Sequence, residues 1–289
     1  MSSPFANNAA LVIGGGKNIG SAVVQEFARR GARVAVADRD GEAAEETAAL
    51  VRDMGGDACA LVCDVTSEDS VQSAIDAAEH QLGPLHIVMN NAGILSGGNP
   101  EDIPVAAWQQ MMDVNFFGMV RAIEAVLPRM IARGTGHIVN TASFAGLYPF
   151  ASSRIHYAAS KAAIVSMSEN LALYLIPKGI RVSCLCPGPV MTTSVQGMKH
   201  YTEDYTMRAP GSHLTVKSQA ETARILADGM EDGRIIIPTH EELWETLRQR
   251  TASPDAFIRA KNAEFEAGDS GKPQVPEEML RAAAQARAE

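Results

Sequence analysis

The sequence has no run of 18 or so consecutive apolar residues, the length a membrane helix needs, and no cluster of basic residues. Its 25 Lys and Arg are outnumbered by 34 Asp and Glu, for a net charge of −9, and it holds only four cysteines. The first absence excludes a helical membrane span. The second argues against nucleic acid or an anionic membrane as partner, because such partners need Lys and Arg to replace counterions at phosphates. Cys59, Cys63, Cys184 and Cys186 lie in apolar, strand-like runs without the paired Cys/His spacing of a zinc site. They read as reduced core residues, with no metal expected. The opening MSSPFANNAALVIGGG lacks a positively charged leader head, so the expected location is the cytoplasm. What is present is ordinary for a packed protein: 289 residues, 46% hydrophobic and 20% charged, enough for one large domain or two smaller ones.

The pattern decides between them. Short apolar runs at 9–13, 33–37, 58–63, 85–90, 136–141, 180–186 and 234–237 alternate with stretches of helical period. The helices are expected near 19–30, 42–54, 67–82, 105–132, 156–176 and 217–231. Strands that are apolar throughout are buried on both faces, and the helices between them serve as crossovers of a parallel sheet. The expected fold is a doubly wound α/β sheet of seven parallel strands with helices on both faces, its ligands at the carboxyl ends of the strands. No linker interrupts it, so residues 1–240 read as one domain and 241–289 as a C-terminal helical extension. That extension either docks on a neighbouring subunit or is partly mobile.

Gly14, Gly15, Gly16 and Gly20 lie between the first strand and the first helix. Such a turn lets the phosphates of a dinucleotide reach backbone N–H groups at a helix N-terminus. Asp38 ends the second strand 18 residues after Gly20, where a carboxylate can accept hydrogen bonds from ribose hydroxyls. That favours NAD over NADP. Lys17 and Arg39 are cations that could instead hold a 2′-phosphate, which leaves NADP open. Asp64, in the CDV run that continues to Val65, suits either the adenine or an ordinary turn, with Ser67 the better helix cap.

Farther along come Asn90-Asn91-Ala92-Gly93, Asn115 within a helix, Ser143 after the fifth strand, and Tyr157 and Lys161 four apart on one helical face. A phenol is a poor base at neutral pH, but a neighbouring ammonium and an oxidised nicotinamide both favour its phenolate. The group suggests proton transfer.

These residues, in this order and spacing, together with PGPVMT at 187–192, resemble the short-chain dehydrogenase/reductase family over about residues 7–240. The resemblance implies a Rossmann-type fold and a hydride transfer between a secondary alcohol or ketone and NAD(P). It implies Tyr157 as general acid/base, Ser143 orienting the substrate oxygen, Lys161 lowering the Tyr157 pKa, and Asn115 holding a water that links Lys161 to solvent. The implied cofactor set is Gly14, Gly16, Lys17, Asn18, Ile19, Gly20, Asp38, Arg39, Asp64, Val65, Asn91, Ala92, Gly93, Tyr157, Lys161, Pro187, Gly188, Val190 and Thr192. Four departures stand out. Ile13 replaces a Thr, Asn18 replaces a Gly, Ser143 and Tyr157 stand 14 apart where 13 is commonest, and the closing Asp-Gly-Gly is Ile-Pro-Thr-His. Asn is the side chain that best tolerates left-handed geometry, so the turn should survive.

Residues 191–215 fall where the family carries its substrate lid. Met191, Met198, Tyr201, Tyr205 and Met207 offer an adaptable wall suited to a mainly apolar alcohol or ketone. Ser143 and Tyr157 would hold its oxygen. Phe144, Leu147, Tyr148, Phe150 and His156 are either the opposite wall or core, and His240 reads as a surface or lid residue. The ending GRIIIPTHEELWETLRQR is weakly similar to the branch acting on bulky aromatic secondary alcohols. A silent cofactor sensor or scaffold and a lyase or epimerase with transient cofactor use are the other readings. Apolar stripes on the helices of Asn115 and Tyr157 (Met119, Ile123, Val126 and Ile164, Met167, Leu171) point to a homodimer or homotetramer through those helices.

Overall fold

The seven apolar runs pair as one parallel sheet in a computed structural model, which describes residues 3–193 and 197–285. The strands are β1 (Ala9–Ile13), β2 (Arg33–Asp38), β3 (Ala58–Val62), β4 (Leu85–Asn90), β5 (Gly136–Thr141), β6 (Ile180–Cys186) and β7 (Ile236–Pro238). Their order across the sheet is β3-β2-β1-β4-β5-β6-β7. All five residues of β1 and all six of β5 are buried, as a sheet covered on both faces requires. Val12 pairs with Val36 on one side and Met89 on the other, so β1 is where the order reverses. A crevice opens there at the strand ends, and ligands of such sheets bind in it.

Helices α1 (Asn18–Arg29), α2 (Gly41–Asp53) and α3 (Glu68–Leu82) match the expected spans. The single long helix expected near 105–132 is instead α4 (Val105–Met112), a π-helical turn (Asp113–Phe117) and α5 (Gly118–Arg133). One extra residue per turn changes the apolar period too little to read, yet it turns the fully buried Asn115 inward. Helices α6 (Ile155–Leu175) and α7 (Gln219–Glu231) follow. One apolar cluster on each side of the sheet, and a third around Phe144, Tyr148 and Phe257, make the core.

Beyond β7 lie α8 (Leu243–Ala252), α9 (Pro254–Glu266) and α10 (Glu277–Gln285). Ser253 caps α9 by accepting from Ala256 N, with Pro254 at the first helical position. The chain between α9 and α10 runs along residues 209–216. Ala209 N donates to Ser270 O (2.9 Å), Gly211 N to Gly271 O (3.0 Å) and Val216 N to Gln274 O (2.7 Å). A further two-residue pairing joins Ser96–Gly97 to Lys199–His200. The lid region is thus tied down at two places. Residues 194–196 of that expected lid and 286–289 of the extension lie outside the described residues.

Candidate active site

The turn after β1 is shaped by close backbone approach. Gly14 takes a positive φ of 80°, and its N–H donates to Ala37 O at 2.7 Å. A Cβ on Gly20 would collide with the Gly14 carbonyl oxygen, so α1 can start this near β1 only without one. Asn18 adopts φ 52°, the left-handed geometry that Asn tolerates. No side chain caps α1, and its first turn holds no acid, so its free N–H groups and dipole face the crevice. This cradle fits a pyrophosphate. Asp38 at the end of β2 accepts from Gly16 N (3.0 Å) and Asp40 N (3.1 Å). Lys17, one of the two cations considered for a 2′-phosphate, is held by Asp40 at 2.6 Å. Arg39 is exposed.

Asp64 Oδ1 accepts from Thr66 N and Thr66 Oγ1, which lowers its pKa, while Ser67 caps α3. Val65 is buried, and a Cβ on Gly118 would press on its side chain. Asn91 Nδ2 donates to Gly14 O (2.8 Å), and its Oδ1 accepts from Thr141 Oγ1 (3.1 Å). That one side chain joins the cofactor turn to the end of β5. Ala92 N donates to Ile13 O. Pro187 O accepts from Phe144 N, and Gly188 N donates to Thr239 Oγ1 at 2.8 Å. Val190 bridges Lys217, and Thr192 is half-buried at the root of the lid.

Tyr157, Lys161, Asn115 and Gly93 converge beside this cradle. Lys161 Nζ stands 5.6 Å from the Tyr157 ring centroid and donates to Thr141 O at 2.8 Å. Burial pulls its pKa down to about 8. Burial likewise pushes the Tyr157 phenol above its ordinary value, while the Ser143 hydroxyl and the Arg154 charge oppose that rise. Asn115 Oδ1 accepts from Ile94 N (2.7 Å), and its Nδ2 donates to Ile94 O (3.1 Å) and Ser160 Oγ (3.2 Å). A Cβ on Gly93 would sit 3.2 Å from Asn115 Oδ1 and 3.7 Å from Lys161 Nζ. The chemistry this permits is movement of a proton at Tyr157 Oη next to a tunable ammonium.

Some expected wall residues lie elsewhere. Phe144 is 1% exposed, and Tyr148 is 3% exposed with its hydroxyl on Pro210 O at 3.0 Å. Both stack with Phe150, Phe257 or His240 in the core under the lid, as the core alternative for them has it. His156 is fully buried, 2.6 Å from Ser96 Oγ and stacked on Trp108. His240 is no surface residue: it is 4% exposed and bonds Thr215 O (2.7 Å) and Thr239 Oγ1 (2.8 Å). The Phe144 ring and the Gly188 backbone pack against it. Met198 is buried and Met191 is exposed. Met119, Ile123, Val126 and Ile164, expected to face a second subunit, are buried in this chain's own core. Among the described residues, the exposed large apolar side chains of these helices are Val105, Phe117, Ile131, Leu173 and Tyr174.

Sequence reasoning missed the bonds of Asn18, whose Oδ1 accepts from Thr193 N (3.0 Å) and Thr193 Oγ1 (3.1 Å). Gln219 Nε2 donates to Met191 O (3.0 Å) beside it. The cofactor turn therefore grips the root of the lid. It also missed Arg154, although its spacing of three from Tyr157 was a readable signal. A cavity of about 400 Å³ between α6 and α9, lined by Ile155, Ala158, Ile258 and Phe265, was not foreseen either. Helix geometry puts it on the flank of α6 away from Tyr157.

A doubly wound sheet with a phosphate cradle at its switch point, and a Tyr-Lys pair beside it, defines an oxidoreductase using a nicotinamide dinucleotide. The chain belongs to the short chain dehydrogenase family, whose sequence profile matches residues 8–203. It is 35% identical over 192 residues to the 2,5-dichloro-2,5-cyclohexadiene-1,4-diol dehydrogenase LinX of Sphingobium indicum, covering 66% of this chain and 76% of that one. It is 33% identical to the cyclohexanol dehydrogenase of an Acinetobacter strain over the same shares. A short chain dehydrogenase/reductase of Burkholderia phymatum, solved in complex with NAD, superposes with a TM-score of 0.77 at 28% identity, covering 89% and 96%. The protein is thus an enzyme that interconverts a secondary alcohol and a ketone by hydride transfer.

Proposed function

We propose that this chain is an NAD-dependent dehydrogenase of cyclic or otherwise bulky secondary alcohols, with Tyr157 as its acid/base. The observation that carries the reading is the convergence of Tyr157, Lys161 and Asn115 at the mouth of the dinucleotide cradle. When bound, the nicotinamide ring supplies the hydride acceptor or donor. Tyr157 Oη takes the hydroxyl proton in oxidation and returns it in reduction, and Ser143 orients the substrate oxygen. Lys161 favours the phenolate by its charge, and Asn115 positions the polar path toward it. A silent sensor would need none of these four. Asp38 would hold the ribose hydroxyls and repel a 2′-phosphate, while Lys17 is engaged by Asp40, which favours NAD. Cyclic substrates follow from the names of the relatives.

Residues 1–240 form the catalytic domain and 241–289 its extension, in a cytoplasmic enzyme. Phe117, Leu173 and Tyr174 supply the apolar contact of a homodimer through the outer faces of the π turn and α6. The test is a panel of cyclic and open-chain alcohols and ketones with NAD(H) and NADP(H), followed by absorbance of the reduced nicotinamide. Turnover of cyclic secondary alcohols with NAD is expected. Cofactor binding without turnover of any alcohol or ketone would overturn the reading.

A further inference from the structure

We propose that Arg154 anchors an anionic group on the substrate, so that the preferred substrate is a secondary alcohol whose carbon skeleton carries a carboxylate or an equivalent anion. This inference rests on the dehydrogenase reading above. Arg154 directly precedes α6, three residues before Tyr157, and its backbone N–H is fixed by Ala151 O at 2.9 Å. From there its charge acts on two phenols, that of Tyr157 and that of Tyr205 from the lid. The packing agrees. A Cβ on Gly97 would meet both the Tyr205 hydroxyl and the Ser153 carbonyl, so Tyr205 lies against the turn that carries Arg154. The guanidinium thus reaches the lid, at Arg208 O, from the turn that leads into Tyr157.

Its bonding is incomplete. Nη2 donates to Arg208 O at 2.7 Å, while Nε is buried without a partner. Among the described residues no carboxylate lies within ion-pair distance of it. Arg30, by contrast, is met by Glu26, Asp228 and Glu231, and Arg129 by Asp76 and Glu79, whereas the half-buried Arg181 has no ion pair among the described residues. The lid's own acids, Glu203 and Asp204, point to solvent. A half-buried cation without a counter-ion, with one buried N–H unbonded, is costly to keep, and a planar guanidinium fork is the side chain that best matches a carboxylate. If Arg154 served only to tie the lid through one carbonyl, a single donor would suffice. The unpartnered Nε, at the turn that leads into Tyr157, points to an anion that arrives with the substrate.

The probes are 4-hydroxycyclohexanecarboxylate and its methyl ester, oxidised by the full chain with saturating NAD. The acid is expected to lead in kcat/KM by about tenfold or more, chiefly through KM, as one charge-assisted hydrogen bond allows. In Arg154→Gln that ratio falls to near one, and Arg154→Lys, a point charge without the fork, keeps part of it. Taking the ratio cancels any change that the variant imposes on Tyr157 itself. Wild-type inhibition gives a second reading free of folding effects: cyclohexanecarboxylate should compete about tenfold or more better than cyclohexanecarboxamide. The proposal is overturned by a wild type that prefers neither acid nor carboxylate, or by an Arg154→Gln that slows acid and ester alike. Turnover of alcohols without any acid preference sinks this inference alone. Absence of NAD reduction with every alcohol sinks the dehydrogenase reading beneath it.

Discussion

Replacing Lys161 by Met should make the cofactor-free protein more stable at neutral pH while removing its catalysis. Lys161 is 4% exposed, and burial lowers its pKa from 10.5 to about 8. Two and a half units correspond to about 3 kcal/mol of penalty on the charged form at pH 7. Losing the bond to Thr141 O gives back about 1 kcal/mol, and Met nearly conserves the volume. The net gain is about 2 kcal/mol, or roughly 4–8 °C in a chain of this size. The sign with pH follows from the direction of the shift. The penalty is complete below pH 8, where the folded state still carries the proton. It fades between about 8 and 10.5, where only the unfolded chain keeps it. Thermal melts of both proteins without cofactor, at pH 7 and pH 10, measure this directly. The variant should melt higher at pH 7, and the gap should close by pH 10. A variant that melts lower at pH 7, or a gap of equal size at both values, would refute the reasoning.

Asp38→Ala removes the carboxylate that would repel a 2′-phosphate, so the NADP-to-NAD ratio of kcat/KM should rise about tenfold or more, measured with one alcohol. Gly20→Ala drives a methyl into the Gly14 carbonyl and should abolish dinucleotide binding by calorimetry, with a loss of at least about 2 kcal/mol in stability by urea titration. Asn18→Gly relieves a left-handed side chain worth about 1 kcal/mol but frees Thr193 from the cofactor turn. Limited proteolysis should then cut near 191–200 faster than in the wild type, and substrate KM should rise more than cofactor KM.

The sheet was legible because each strand is apolar on both faces and each crossover has a helical period. The first six strands keep their expected positions within one residue, and only the last, β7, is shorter and starts later. The Tyr157–Lys161 pair and the glycine turn were readable because their geometry is local, set by four-residue helical spacing and by one tight turn. What was not legible depends on contacts far apart in the chain. Asn18 meets Thr193 across 175 residues, and Thr215 meets Gln274 only because the extension folds back along the lid. His240 looked exposed since nothing local shows that Phe144 and Thr215, far off in the chain, pack against it. Phe144 and Tyr148 have the composition of pocket and core alike, and only the aromatic cluster around Phe257 separates the two. The π turn at Asn115 hides for another reason: one inserted residue shifts the helical phase without breaking the period.

The central claim is that Tyr157 moves the proton in a site whose cofactor cradle stands independently of it. Tyr157→Phe tests this when NADH binding and steady-state oxidation of a cyclic secondary alcohol are measured on the same preparation. Binding should stay within about threefold of the wild type, while kcat falls by about two orders of magnitude or more. Retained turnover with intact binding would contradict the account.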